Sequence, residues 1–196
     1  MRILVLTVAL SVLAGLPAHA DCTGEIAAAT EAALAAGPYH SNLSMTGDGG
    51  AMMIVAQVDL PKGMKASITG PVASQFVLLG DKLWVDMGGS WMEMPAALGA
   101  MVTSQVPNTM RDIAKSITNA TCLGPVDVDG KMLTGYEFDS TVTVAGTQAK
   151  SHVKLFVEPA TGLPERMEFD GEAGGMKTKG VQVMRFDKTI KIAPPQ

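Results

Sequence analysis

The sequence predicts an α+β fold: one long antiparallel sheet of about 10–11 strands, with a helix in front and a helical insert near its middle. Three observations predict it. Short runs of period-two alternation recur from Tyr39 to Ile192, parted by Gly, Pro and Asp turn pairs. Helical spacing replaces that alternation over Thr23–Ala36 and again over Ala96–Asn119. The strands are short and closely spaced, which describes a meander. A sheet of this many strands curls, and few helices are available to cover its concave face.

The first twenty residues stand apart. Arg2 precedes the apolar run Ile3–Leu16, and Pro17-Ala18-His19-Ala20 ends it with small residues. This is the pattern of a secretory signal peptide, residues 1–20, cut before Asp21. The run is short for a membrane span. Asp21 just ahead of Cys22 argues against a lipidated cysteine. Residues 21–196 are then expected to be a single exported, periplasmic domain with a sizeable core and no integral membrane segment. Fifteen basic against nineteen acidic residues give a net charge of −4. That balance argues against nucleic acid as a partner. Cys22 and Cys122 form an even pair in an exported chain, which predicts a disulfide. Closing so long a loop contributes roughly 4–5 kcal/mol. The pair lacks the CxxC spacing of a redox couple.

The elements follow in order. Thr23–Ala36 is rich in Ala and Glu, places Ile26, Ala29, Ala33 and Leu34 on one face, and stops at Gly37-Pro38. From Tyr39 the period is two. Met52, Ile54, Ala56, Val58 and Leu60 alternate with Met53, Val55, Gln57 and Asp59, and Met64, Ala66 and Ile68 continue the apolar side. Strands Gln75–Leu79, Lys82–Met87 and Ser90–Met94 follow, separated by Gly80-Asp81 and Gly88-Gly89. Leu98, Met101 and Val102 then share one face of Ala96–Val106. Pro107 is expected to break this helix, with Asn108 capping a second piece that presents Met110, Ile113, Ala114 and Ile117. Cys122 follows directly, so the disulfide should join the first helix to the end of the insert. Strands return over Lys131–Ala145, Ala149–Val157, Met167–Asp170, Val181–Asp187 and Thr189–Ile192.

Both tryptophans lie in LWVDMGGSWMEMP, Leu83–Pro95, one on each side of Gly88-Gly89. They read either as a cross-strand pair that steadies a hairpin or as the wall of an apolar site. The chain has fourteen methionines and few aromatics. Flexible thioethers suit a cavity that accepts varied apolar chains, and equally serve as core filler. A copper site would use the same sulfurs, but Met92-Glu93-Met94 on a strand also suits packing, and no metal or other cofactor is expected. Enzymatic patterns are missing. There is no GxSxG elbow and no phosphate loop. His152 falls on the polar side of its strand beside Lys150 and Lys154, a surface position. Asp81, Asp86, Asp139 and Asp170 fall at turns or on polar faces. No catalytic residue is assigned, and the chain is not expected to be an enzyme.

Three segments carry a resemblance: FVLLGDKLWVDMGGSWMEMP (Phe76–Pro95), the helical insert Ala96–Asn119, and VEPATGLPERMEF (Val157–Phe169). In their order and spacing, the chain resembles the LolA-like superfamily of periplasmic lipoprotein carriers and LppX/LprG-type lipid-binding proteins. The resemblance implies a half-barrel with helices over its concave face, around an apolar cavity for a lipid or the acyl chains of a lipoprotein, possessed by a binding or transport protein. The carriers' lid arginine has no matching motif at Arg111, Arg166 or Arg185. The cavity would be lined by Ile54, Ala56, Val58, Ile68, Phe76, Leu78, Trp84, Trp91, Met94, Leu98, Met101, Val153, Leu155, Met167 and Phe169. The superfamily also contains envelope-stress signalling proteins. The alternative expectation is therefore a self-filled barrel that engages an envelope protein partner.

Overall fold

The computed structural model describes residues 21–60, 62–144 and 147–196. The expected leader, residues 1–20, lies outside the described residues. The elements are α1 (Cys22–Ala36), β1 (Tyr39–Gly47), β2 (Gly50–Asp59), β3 (Gly63–Thr69), β4 (Ser74–Leu79), β5 (Lys82–Asp86), β6 (Trp91–Glu93), α2 (Ala96–Lys115), β7 (Thr118–Val128), β8 (Lys131–Val144), β9 (Thr147–Val157), β10 (Pro164–Ala173) and β11 (Met176–Phe186).

All eleven strands form one sheet, in the order β6-β5-β4-β3-β2-β1-β11-β10-β9-β8-β7. The chain meanders outward from β1 to β6, crosses to the far edge, and meanders back until β11 pairs antiparallel with β1. Strands β6 and β7 are the two free edges, so the curved sheet does not close. Helix α2 is the segment that joins them. Its twenty residues cover about 30 Å at 1.5 Å per residue.

Local chemistry sets the first helix. Asp21 caps α1 by accepting from the Gly24 amide at 3.0 Å, and Glu25 sits in the first turn, where the helix dipole favours an acid. Gly37, at φ 95°, ends it. Ile26, Ala29 and Ala33 make the buried stripe. Ile26 and Ala29 pack with Tyr136, Phe138, Val153, Leu155 and Val157 of β8 and β9. A second cluster on the same face joins Ala56, Val58 and Ala66 with Tyr39, Ile54, Met64 and Phe76.

Three expectations are corrected. Helix α2 is one continuous element through Pro107, and Asn108 does not cap a second piece. An interior proline costs about 3 kcal/mol. Packing along the helix offsets that cost, against β4 and β5 near its start and against α1 and β8 near its end. Gly99 makes the first contact possible: a Cβ there would lie 2.0 Å from the Asp81 carbonyl oxygen. Beside it, the Thr103 hydroxyl donates to the Gly80 carbonyl at 2.6 Å.

The second correction concerns Cys122. It lies on β7, not at the end of the helical insert, so the disulfide ties the first residue of α1 to an edge strand. Gly124-Pro125 reads as a breaker in sequence. The strand survives because its register shifts between Thr118 and Thr121 and again between Cys122 and Gly124, and because an edge strand tolerates proline. Third, Thr189–Ile192 is not a strand. The Asp187 carboxylate accepts from both the amide and the hydroxyl of Thr189 at 2.9 and 2.6 Å, which holds a turn there instead.

Candidate functional site

The stripes of the two helices and the inner side of the sheet do not meet completely. Between them lies a cavity of about 270 Å³. Helix α1 contributes Ile26, Thr30 and Ala33, and α2 with the residues after it contributes Met110, Ile113, Ala114 and Ile117. Met110, Ile113 and Ala114 share one face of α2 at helical spacing, and Ile117 lies just past its end. The sheet supplies Tyr39, Phe138, Leu155, Pro164, Met167, Gln182 and Met184. None of these fourteen side chains is charged at neutral pH.

The few polar groups are mostly occupied. The Thr30 hydroxyl donates to the Ile26 carbonyl at 3.0 Å. The Gln182 amide donates to the Ser41 hydroxyl at 2.9 Å. Nearby, the Tyr136 hydroxyl donates to the Glu25 carboxylate at 2.8 Å. Burial, reinforced by that bond, pushes the Tyr136 phenol up to about 12. Burial also raises the Tyr39 phenol. Arg111 on α2 and Glu31 on α1 approach to 3.7 Å at the surface, both well exposed.

Strand register extends the cavity into a row. Reading across the sheet, Tyr136, Leu155, Met167, Gln182, Leu43, Ile54 and Ile68 stand opposite one another in turn. Leu155, Met167 and Gln182 line the cavity, and half-buried Leu43, Ile54 and Ile68 continue it along β1, β2 and β3. Four strand spacings separate Met167 from Ile68, roughly 19 Å.

The expected lining residues divide accordingly. Leu155 and Met167 face the cavity, and Val153 and Phe169 pack in the cluster beside it. Ile54, Ala56, Val58 and Phe76 belong to the second cluster on the same face, which Ile68 and Leu78 join by register. Met94 is half-buried just past β6, its amide bonded to the Leu83 carbonyl. Leu98 and Met101, 37% and 46% exposed, do not fill the cavity.

The tryptophans lie elsewhere. Phe76 pairs with Val85 and Leu78 with Leu83, so the helix-covered side of β5 is Leu83 and Val85. Trp84 is opposite Val77, and Trp91 is opposite Asp86, on the outer side. Both rings are half-buried there. Val77, only 1% exposed, is the neighbour Trp84 shields. Nor do the rings stack: among the described residues the aromatic ring contact is Tyr39 with Phe186, centroids 5.3 Å apart. Sequence reasoning left out Tyr39, Phe138, Pro164, Gln182 and Met184 of the sheet, and Ile26, Thr30, Ala33, Met110, Ile113, Ala114 and Ile117 of the helical segments. Helical spacing was the available signal for the latter set.

The outer side carries charge. An open depression of about 890 Å³ surrounds His152, Asp139, Asp170 and Lys179. His152 Nδ1 lies 2.8 Å from Asp139, and its Nε2 lies 2.6 Å from Glu137. Hydrogen bonds to these two carboxylates raise the imidazole, and bonds from Asn119 and His152 lower Asp139. Lys179 meets Asp170 at 2.7 Å. These groups neutralise one another in solvent. The described residues hold no His, Cys, Asp and Glu cluster arranged for a metal, and no described helix is long and apolar enough to cross a membrane.

Comparison with solved structures places this arrangement. LprF from Mycobacterium bovis superposes with a TM-score of 0.63 at 12% identity, over 89% of this chain and 96% of that one. The Mycobacterium tuberculosis lipoprotein LppX gives 0.55 at 14% identity, over 87% and 99%. The chain has the fold of LprF and LppX. That is the LolA-like architecture the three sequence segments resemble. A LolA superfamily protein from Nitrosomonas europaea aligns more distantly, with a TM-score of 0.38 at 13% identity over 85% of this chain and 94% of that one. No protein-family model and no curated sequence matches.

Proposed function

We propose that this is an exported periplasmic protein that binds a hydrophobic ligand, a lipid or the acyl chain of a lipoprotein, and carries it through water. The observation that supports this most is the uncharged cavity between α1, α2 and the sheet, continued by an apolar row along β1 to β3. Water in such a space forgoes hydrogen bonds, and each methylene that replaces it contributes about 0.8 kcal/mol. The cavity of 270 Å³ sits at the lower edge of ligand-pocket sizes, about 300–1,000 Å³. It suits one chain, with the rest lying along Leu43, Ile54 and Ile68. The shared fold with LppX, a lipoprotein by its description, agrees with an envelope location. Helix α2 is the element that must yield to admit a longer chain, because it alone bridges the open side between β6 and β7.

The test is native mass spectrometry of protein released gently from the periplasm, followed by organic extraction. A discrete added mass that extracts as acyl lipid supports the proposal and names the cargo class. A clean unliganded mass that stays unchanged when lipids are added removes it. The second reading would then stand: a barrel filled by its own helices, with protein partners.

A further inference from the structure

Resting on the ligand-binding reading of this cavity, we infer that Tyr39 is its specificity-determining residue, donating a hydrogen bond to an uncharged oxygen of the ligand. The chain has two tyrosines, and they are treated differently. Tyr136 spends its hydroxyl on Glu25. The Tyr39 ring is held at the start of β1 by Phe186, 5.3 Å away, and by the cluster around Val58. Its hydroxyl makes no hydrogen bond to any described residue. Tyr39 is half-buried, and among the described residues no unpartnered side-chain polar atom is sealed from solvent, so water meets this hydroxyl when the cavity holds no ligand. Here the side chain lines the main cavity and also the small one beside Leu34, Leu60 and Met110. An acceptor oxygen that enters with the ligand takes the place of that water.

The rest of the lining decides the charge of that group. Thr30 and Gln182 already donate within the protein, and no Lys, Arg or His lines the cavity. An ionised carboxylate or phosphate would be buried without a counter-charge, which is far more costly than burying a hydrogen-bonded ester or alcohol. The ligand class is thus a chain bearing a neutral acceptor oxygen at the Tyr39 end, with any charged head left outside.

Displacement of the neutral fluorophore N-phenyl-1-naphthylamine tests this with three probes of equal chain length: methyl laurate, dodecane, and laurate, which is ionised at neutral pH. Wild-type protein is expected to prefer methyl laurate over both others. Tyr39→Phe keeps the ring and its packing, and should weaken methyl laurate about five- to ten-fold, the loss of one hydrogen bond, while dodecane is unchanged. An equal change for both probes, or none, makes Tyr39 a packing residue and overturns the inference alone. Laurate bound by wild type as tightly as its methyl ester also overturns it. Failure of wild type to bind the fluorophore or any probe overturns the ligand-binding reading as well.

Discussion

Replacing Ala114 by Leu probes the cavity from the α2 side. Ala114 is a half-buried lining residue, and the change adds three carbons to a space of about 270 Å³. Three buried methylenes contribute about 2.4 kcal/mol. Fixing the longer side chain takes back about 0.5–1 kcal/mol of rotamer entropy, and Leu is nearly as good a helix former as Ala. The net expectation is a gain of about 1.4–1.9 kcal/mol, or about 3–8 °C in Tm for a domain of this size. The same side chain occupies ligand space, so N-phenyl-1-naphthylamine should bind more weakly. Urea unfolding and fluorophore titration on one preparation read both effects. A loss of stability beyond about 1 kcal/mol would mean an overpacked core rather than a cavity. A gain with unchanged fluorophore binding would place the ligand elsewhere, and the proposed site would be wrong.

Gly99→Ala should destabilise the fold, against the roughly 1 kcal/mol that helix propensity predicts in its favour, because the added Cβ collides with the Asp81 carbonyl; urea midpoints decide the sign. The Cys22→Ser/Cys122→Ser double variant should lose about 4–5 kcal/mol, from a loop closed over a sequence separation of 100; a loss under about 1 kcal/mol would show that α1 docks without its tether. For His152, the raised pKa means its ion pairs contribute fully below the usual 6.5 and fade as pH rises through the folded value. Asp139, lowered, contributes above its usual 3.8 and fades as pH falls through the folded value. His152→Asn should therefore be less stable than wild type between those limits by up to about 1 kcal/mol, given its solvent exposure, and should match wild type at alkaline pH; a gap that widens with pH contradicts this. Methyl laurate should leave tryptophan emission unchanged, since Trp84 and Trp91 sit on the outer side; a marked shift would bring the ligand to that side.

Much of the fold was legible because the hydrophobic period reports it directly. Alternation in Met52–Leu60 and Ala149–Val157 needs no tertiary information, and helical spacing in Ile26–Ala33 and Met110–Ile117 needs little more. What failed were local rules that tertiary contacts overrode. No strand was expected between Cys122 and Lys131, yet β7 runs from Thr118 to Val128 with two shifts of register. Pro107 looked like an end, yet α2 is tethered to both sheet edges and packed near both of its termini. A chain that must span from β6 to β7 has few ways to stop midway.

The site was less legible, for a geometric reason that the tryptophan hairpin shows. Alternation says that Leu83 and Val85 share one side of β5 and that Trp84 takes the other. It does not say which side is inside. That follows only from a chain of registers: Ala56 opposite Ala66, Ala66 opposite Phe76, Phe76 opposite Val85, Val85 opposite Met92. One residue of slip before β5 would turn both tryptophans inward, and one between β5 and β6 would turn Trp91 alone. Size and apolarity, which made them attractive as lining, are equally what Val77 needs to be only 1% exposed on an otherwise polar side. The cavity is instead bounded by two helices some sixty residues apart in sequence, brought together over β8 to β11 and the start of β1. Neither stripe alone describes a site. Each describes a face that must be covered, and the space left where the two covers fail to meet is the feature that the proposed ligand fills.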